Sequence, residues 1–203
     1  MSSSSVHRGP KPPNLLHRAG KLYMRRLGWR VIGEVPRELD RAVFIAAPHT
    51  SNWDLVNMLT VSWVLQVKMS WLGKDSLFTA PGGVLLKLLG GLPVDRSGPH
   101  GLVGEAARLL REAKGGLWLA VPPSGTRGFK DHWRSGFYHI AREANVPILC
   151  GFIDYEKKEM GILDHFVPTG DVKADMDRIR KAYEPVKGKF NDLKSVIRLK
   201  EEG

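Results

Sequence analysis

Three short, wholly apolar runs organise the chain: Val43-Phe44-Ile45-Ala46-Ala47, Leu117-Trp118-Leu119-Ala120-Val121 and Pro147 to Ile153. A run that is apolar at every residue leaves no face for water, so each reads as a strand covered on both sides. Between them lie stretches with apolar residues at helical spacing, Trp53 to Val67, Gly101 to Ala113 and Phe137 to Ala144. Covered strands alternating with helices predict an α/β fold, with a mostly parallel central sheet flanked by helices. Arg30 to Val35 alternates and reads as an antiparallel or edge strand. Met69–Gly73, Leu92–Val94 and Ile162–Val167 read as weaker strands. Short helices are expected at Pro81–Leu89 and Asp175–Tyr183, while the basic tail from Lys187 gives no clear pattern. No internal repeat or linker divides the chain.

The N-terminal part reads differently. Residues 1–13 lack an apolar core segment, so they read as a disordered lead and not as a signal peptide. Residues 14–28 read as a basic amphipathic helix. Leu15, Leu16, Ala19, Leu22, Tyr23 and Leu27 form an apolar stripe beside His17, Arg18, Lys21, Arg25 and Arg26. Such a segment suits a membrane interface, and equally a terminal helix docked on a core. Charge favours an anionic partner: 31 Lys+Arg against 21 Asp+Glu give a formal net charge of +10. No run of apolar residues is long enough to cross a bilayer as a helix. The expectation is a protein that is cytoplasmic and peripheral, on an anionic membrane surface. One cysteine, Cys150, excludes an intrachain disulfide and a cysteine-based metal cluster.

Chemistry enters where the first apolar run ends. Pro48 stops the strand, His49 follows, and Thr50, Ser51 and Asn52 are all suitable caps for the helix that begins near Trp53. Residues five apart within a helix lie on different faces. A histidine just before the helix escapes that limit, so the Asp54 carboxylate can reach back to His49. A carboxylate on one ring nitrogen fixes the tautomer and leaves the other nitrogen as a base. The same pair also reads as a turn histidine beside an N-terminal helix carboxylate, since this spacing is common.

Other polar groups follow other strands. Lys74 follows Met69–Gly73, Arg96 follows Leu92–Val94, and Ser124-Gly125-Thr126-Arg127 follows Leu117–Val121. In open α/β sheets a site forms beyond the strand C-terminal ends, where these groups could converge with His49. For the basic residues a salt bridge or a solvated surface position is the plainer alternative. A serine hydrolase would need Gly-x-Ser-x-Gly, and Val-Pro-Pro-Ser-Gly-Thr lacks the first glycine and displaces the second. No phosphate-binding Gly-x4-Gly-Lys-Ser/Thr occurs. His132 and His139 are two helical turns apart, too far for two ligands of one ion, so no metal site is expected.

Four blocks in order resemble the glycerolipid acyltransferases, the PlsC-like 1-acylglycerol-3-phosphate O-acyltransferase family. Pro48 to Asp54 resembles its His-x4-Asp block, and Gly90 to Arg96 its second block. Pro123 to Arg127 resembles its third, usually Pro-Glu-Gly-Thr-Arg, and Val146-Pro147-Ile148 its fourth. The resemblance covers roughly residues 27–170. It implies that residues 29–203 are a single α/β acyltransferase domain. The implied reaction moves a fatty acyl group from acyl-CoA or acyl carrier protein to a hydroxyl of a lysophospholipid or related lipid, with no cofactor. His49 would be the base and Asp54 its orienter. Lys74, Arg96, Ser124, Gly125, Thr126 and Arg127 would bind substrate, with turn N–H groups near Gly125 facing the oxyanion. Serine in place of the usual glutamate at 124 implies either a more positive, roomier acceptor pocket or a peripheral position that tolerates change. The rival is a basic module that binds membrane or nucleic acid without catalysis. It leaves the ordered blocks unexplained, so nucleic acid is not expected as a partner.

Overall fold

A computed structural model describes residues 13–33, 35, 39–94 and 101–202. Seven strands form one sheet in the order β1-β7-β6-β2-β5-β3-β4. They are β1 (Arg30–Ile32), β2 (Arg41–Ala47), β3 (Met69–Lys74), β4 (Gly91–Val94), β5 (Leu117–Val121), β6 (Ile148–Asp154) and β7 (Glu159–Phe166). The three apolar runs are β2, β5 and β6, and they lie side by side at the centre, all parallel. β3 and β4 extend the parallel set. β7 turns back antiparallel on β6, and β1 pairs parallel with β7 at the edge. The sheet is thus mostly parallel, and Arg30–Ile32 is an edge strand as its alternation suggested.

Among the described residues there are seven α-helices, α1 (Leu15–Leu27), α2 (Trp53–Leu65), α3 (Ser76–Thr79), α4 (Gly83–Leu88), α5 (Gly101–Glu112), α6 (Gly136–Ala144) and α7 (Val172–Tyr183), and two single-turn 3-10 helices in the C-terminal tail. Alternate residues of β2 feed the two covers. Val43, Ile45 and Ala47 join the cluster that includes Leu110, Phe137, Ile140 and Ile179 from α5, α6 and α7. Ala42 and Phe44 join Met58 of α2 and Trp118 on the other face. Burying such side chains stabilises by about 1.5–3 kcal/mol each before entropy is counted. One close approach needs glycine: a Cβ on Gly151 would lie 1.8 Å from the Phe44 ring.

Two segments differ from expectation. α1 is an amphipathic helix, but it does not dock by its leucine stripe. Gly20 and Met24 are its buried residues, and His17 Nδ1 lies 3.0 Å from the Val64 carbonyl of α2. Leu15, Leu16, Leu22 and Leu27 remain exposed, Leu15 at 81%. A glycine at position 20 allows this contact, because a Cβ there would meet Val64 at 3.0 Å. The C-terminal tail, without a pattern in sequence, packs as a strap. Phe190 N–H donates to Thr50 Oγ1, Trp133 N–H to the Arg198 carbonyl, and Val196 N–H to the Lys130 carbonyl.

Candidate active site

β2 ends at Ala47, and its polypeptide enters the turn through a cis Ala47–Pro48 bond. His49 stands at the C-terminal end of the central strand, and Asp54 lies in the first turn of α2. His49 Nδ1 is 3.1 Å from Asp54 Oδ2. The same carboxylate oxygen accepts the Thr50 N–H at 2.9 Å and the Ser51 N–H at 3.0 Å. Asp54 therefore folds the turn as well as holding the ring. Asn52 is the N-cap but makes no side-chain capping bond, while Ser51 Oγ accepts the Trp53 N–H.

The fourth partner of Asp54 has no sequence signal. Tyr155, the first residue after β6, donates its hydroxyl to Asp54 Oδ1 at 2.7 Å. Burial opposes ionisation of Asp54, but the hydrogen bonds from His49, Tyr155 and the Ser51 N–H outweigh it, and its pKa is held below the usual carboxylate value. Burial and then the Asp54 charge push the Tyr155 hydroxyl pKa up, so it stays a donor. An ionised carboxylate only accepts, so His49 must donate from Nδ1. That leaves a lone pair on Nε2, which has no partner among the described residues. The His49 side chain is 24% exposed and that of Asp54 7%, so the ring is reachable and its orienting carboxylate is sheltered.

His49 opens onto a cavity of about 660 Å³. Phe44, Met58, Val61, Trp71, Phe137 and Ile140 supply apolar walls, and Arg127 and Arg134 add two guanidinium groups. Neither arginine has an ion-pair partner among the described residues. A size of this order, mostly apolar with a few converging polar groups, suits a small-molecule site. Arg134 was not singled out by sequence. It stands close to Gly125, whose φ of +66° and lack of a Cβ let the Arg134 side chain pass: an added Cβ would meet its Nε at 3.0 Å.

The sequence candidates divide. His49, Asp54, Gly125 and Arg127 line the large cavity. Ser124 does not; it is buried, and its hydroxyl donates to the Thr126 carbonyl at 2.7 Å. It lines a separate space of about 10 Å³ with His49, Lys194 and Ser195, room for about one water. The extra room expected from serine is thus taken up by the strap. Thr126 braces the turn, accepting the Gly128 N–H on its hydroxyl. The Gly125 N–H is committed to the Pro122 carbonyl at 3.0 Å and is not free for an oxyanion. Lys74 ends β3, exposed, and is not among the lining residues. Arg96 lies outside the described residues. Among the described residues no group of three or more His, Cys, Asp or Glu could hold a metal ion, and no helix is long and apolar enough to cross a membrane.

The crystal structure of the 1-acyl-sn-glycerophosphate (LPA) acyltransferase PlsC from Thermotoga maritima is similar in fold, with a TM-score of 0.54 and 20% identity over 84% of this chain and 75% of that one. No individual curated protein matches. The acyltransferase family model matches residues 29–153, which hold β2, the His49–Asp54 turn, the 122–128 turn and all but the last residue of β6. More than half of the chain lies in that match, and the chain belongs to the acyltransferase family.

Proposed function

We propose that this protein is an O-acyltransferase of the 1-acylglycerol-3-phosphate type, moving a fatty acyl group from a thioester to a hydroxyl of a lysophospholipid. One observation carries the reading. An imidazole held at Nδ1 by an ionised carboxylate stands in the lining of a mostly apolar cavity that also includes Arg127 and Arg134. In the reaction Nε2 takes the proton of the acceptor hydroxyl as its oxygen attacks the thioester carbonyl. The tetrahedral intermediate collapses, the C–S bond breaks, and the thiolate leaves with the proton returned by the imidazolium. Products are the ester and a free thiol, with no acyl-enzyme. Asp54 keeps its charge and supports the imidazolium. The apolar wall suits an acyl chain, and Arg127 and Arg134 suit a phosphate, because a guanidinium binds it through two parallel hydrogen bonds. Arg96 is assigned to the acceptor phosphate on its sequence block, and Lys74 to a more distant anionic part of either substrate. Acyl-CoA and acyl carrier protein both fit as donors, and no cofactor is needed.

The membrane is the proposed workplace, on its cytoplasmic face. The leucines of α1 stand exposed beside Arg18, Lys21, Arg25 and Arg26, which supports docking on an anionic bilayer, each charge adding about 1 kcal/mol near the surface. The identity of the product tests the reaction. Purified protein given acyl-CoA or acyl carrier protein and a pool of lysolipids should release free thiol and form one diacyl lipid class, read by mass spectrometry. Thioester hydrolysis alone, with no acylated lipid, would overturn the reading. Nucleic-acid binding, the use of the positive charge set aside here, would show as a steep salt dependence of DNA affinity.

A further inference from the structure

Asp54 is not the end of the hydrogen-bonded chain behind His49. Its Oδ1 accepts the Tyr155 hydroxyl at 2.7 Å. The Tyr155 oxygen in turn accepts from Asn57 Nδ2 at 3.1 Å. Asn57 Oδ1 accepts the Tyr23 hydroxyl, also at 3.1 Å. Each link has one possible direction. An ionised carboxylate only accepts, so Tyr155 spends its single proton on Asp54. Its oxygen is then left to accept, and the Asn57 amide is oriented with its NH₂ toward Tyr155 and its oxygen toward Tyr23. Four elements supply the chain: α1 gives Tyr23, α2 gives Asn57 and Asp54, the β6–β7 turn gives Tyr155, and the β2–α2 turn gives His49.

We infer that Tyr155 is a positioning residue for the His49–Asp54 pair, held in place by Asn57 and Tyr23, so that α1 is part of the apparatus that orients the base. This rests on the acyl-transfer reading of the same site. The geometry separates two jobs on one carboxylate. Oδ2 carries His49 and the two turn N–H groups. Oδ1 is left to Tyr155, and without it the carboxylate could rotate about its Cβ–Cγ bond and carry the imidazole off line. Tyr155 is not among the cavity lining, so it acts through Asp54 and not on substrate. Its ring has two other neighbours. Trp29 packs edge-on with centroids 5.3 Å apart, and Lys189 Nζ of the strap lies 6.0 Å from its centre.

The sign of a pH effect follows. The charged and titratable groups facing Asp54 are His49 and Tyr155; those facing Tyr155 are Asp54, Lys189 and, through Asn57, Tyr23. Loss of the Tyr155 donor leaves more negative charge on the carboxylate. That favours the protonated carboxyl, which no longer orients the ring, and the acid limb of activity moves to higher pH.

The test is Tyr155→Phe, which keeps the ring against Trp29 and removes only the hydroxyl, with Tyr23→Phe as a second variant that does not touch Asp54. Both are measured beside His49→Ala as full-length protein, with acyl-CoA and lysophosphatidic acid, over a pH series. Tyr155→Phe should lower kcat about 10- to 100-fold, the range for a hydrogen bond to a charged group, with KM within about twofold. The acid limb of kcat/KM should move upward. Tyr23→Phe should move kcat and the limb in the same directions, by less. A wild-type kcat and pH profile for folded Tyr155→Phe, with His49→Ala inactive, would overturn the inference and leave the base standing. Activity in folded His49→Ala would overturn the mechanism itself.

Discussion

Two turns leave adjacent parallel strands and meet at the cavity, and they are built in opposite ways. The turn after β2, Pro48 to Asn52, is sheltered: Thr50 and Ser51 are buried, and the half-buried His49 rests on a carboxylate with four hydrogen-bond partners. The turn after β5, Pro122 to Gly128, exposes Gly125 and Arg127, and among the described residues the side-chain hydrogen bonds to its backbone come from Ser124 and Thr126 of the turn itself. Proton transfer tolerates little error in distance or angle, so a base needs a carrier that cannot shift. A phosphate can be met by a mobile guanidinium in several geometries. In the proposed function the first turn serves the reaction and the second holds a charged group of a substrate.

Variants can break that contrast. Asp54→Asn should have the largest effect, because it removes the charge that supports the imidazolium and lets the histidine adopt the wrong tautomer. A loss of about 10²–10⁴-fold in kcat is expected from steady-state rates, with the fold checked by circular dichroism. A rise in KM alone would place Asp54 with the second turn instead. Next come Arg127→Ala and Arg134→Ala, each expected to raise KM for lysophosphatidic acid about tenfold. kcat should stay within about threefold, and a neutral monoacylglycerol should be little affected. An equal loss on both acceptors would mean that the arginines brace the turn.

Smaller effects are expected away from the reacting groups. Leu15→Asp with Leu22→Asp should weaken flotation with anionic liposomes while solution activity on a short-chain acceptor persists. Both side chains are exposed, so the fold should be unaffected. Unchanged flotation would assign the leucine face to another partner. Ser124→Ala removes one hydrogen bond within the turn, of about 1 kcal/mol, and should alter melting more than acceptor ranking. A changed ranking over several lysolipids would bring Ser124 back into contact with substrate.

The sheet was legible because β2, β5 and β6 each contain a run of at least five consecutive apolar residues, a pattern with few folded solutions. The short α3 was missed, since four residues carry no periodicity. The strap was missed because Thr50 and Phe190 meet only through the fold, and nothing near Lys187 in sequence points to residue 50. His49 and Asp54 were legible as a local pair across a turn. Tyr155 was not, being 101 positions from its carboxylate; the one available hint was its place just past a buried strand of the same sheet. Arg134 stayed hidden because it joins the site through a contact with Gly125, not through strand order. Ser124 was legible as part of the turn, but its direction was set by the Thr126 carbonyl, which spacing does not reveal.

The central claim is that the free Nε2 of His49 takes the proton of the acceptor hydroxyl. Single-turnover release of thiol from acyl-CoA in the presence of lysophosphatidic acid, comparing wild type with His49→Ala, measures that step. Folded His49→Ala should be slower by about 10²–10⁴-fold with donor binding intact. A His49→Ala protein that keeps its fold and releases thiol at a rate near wild type would contradict it.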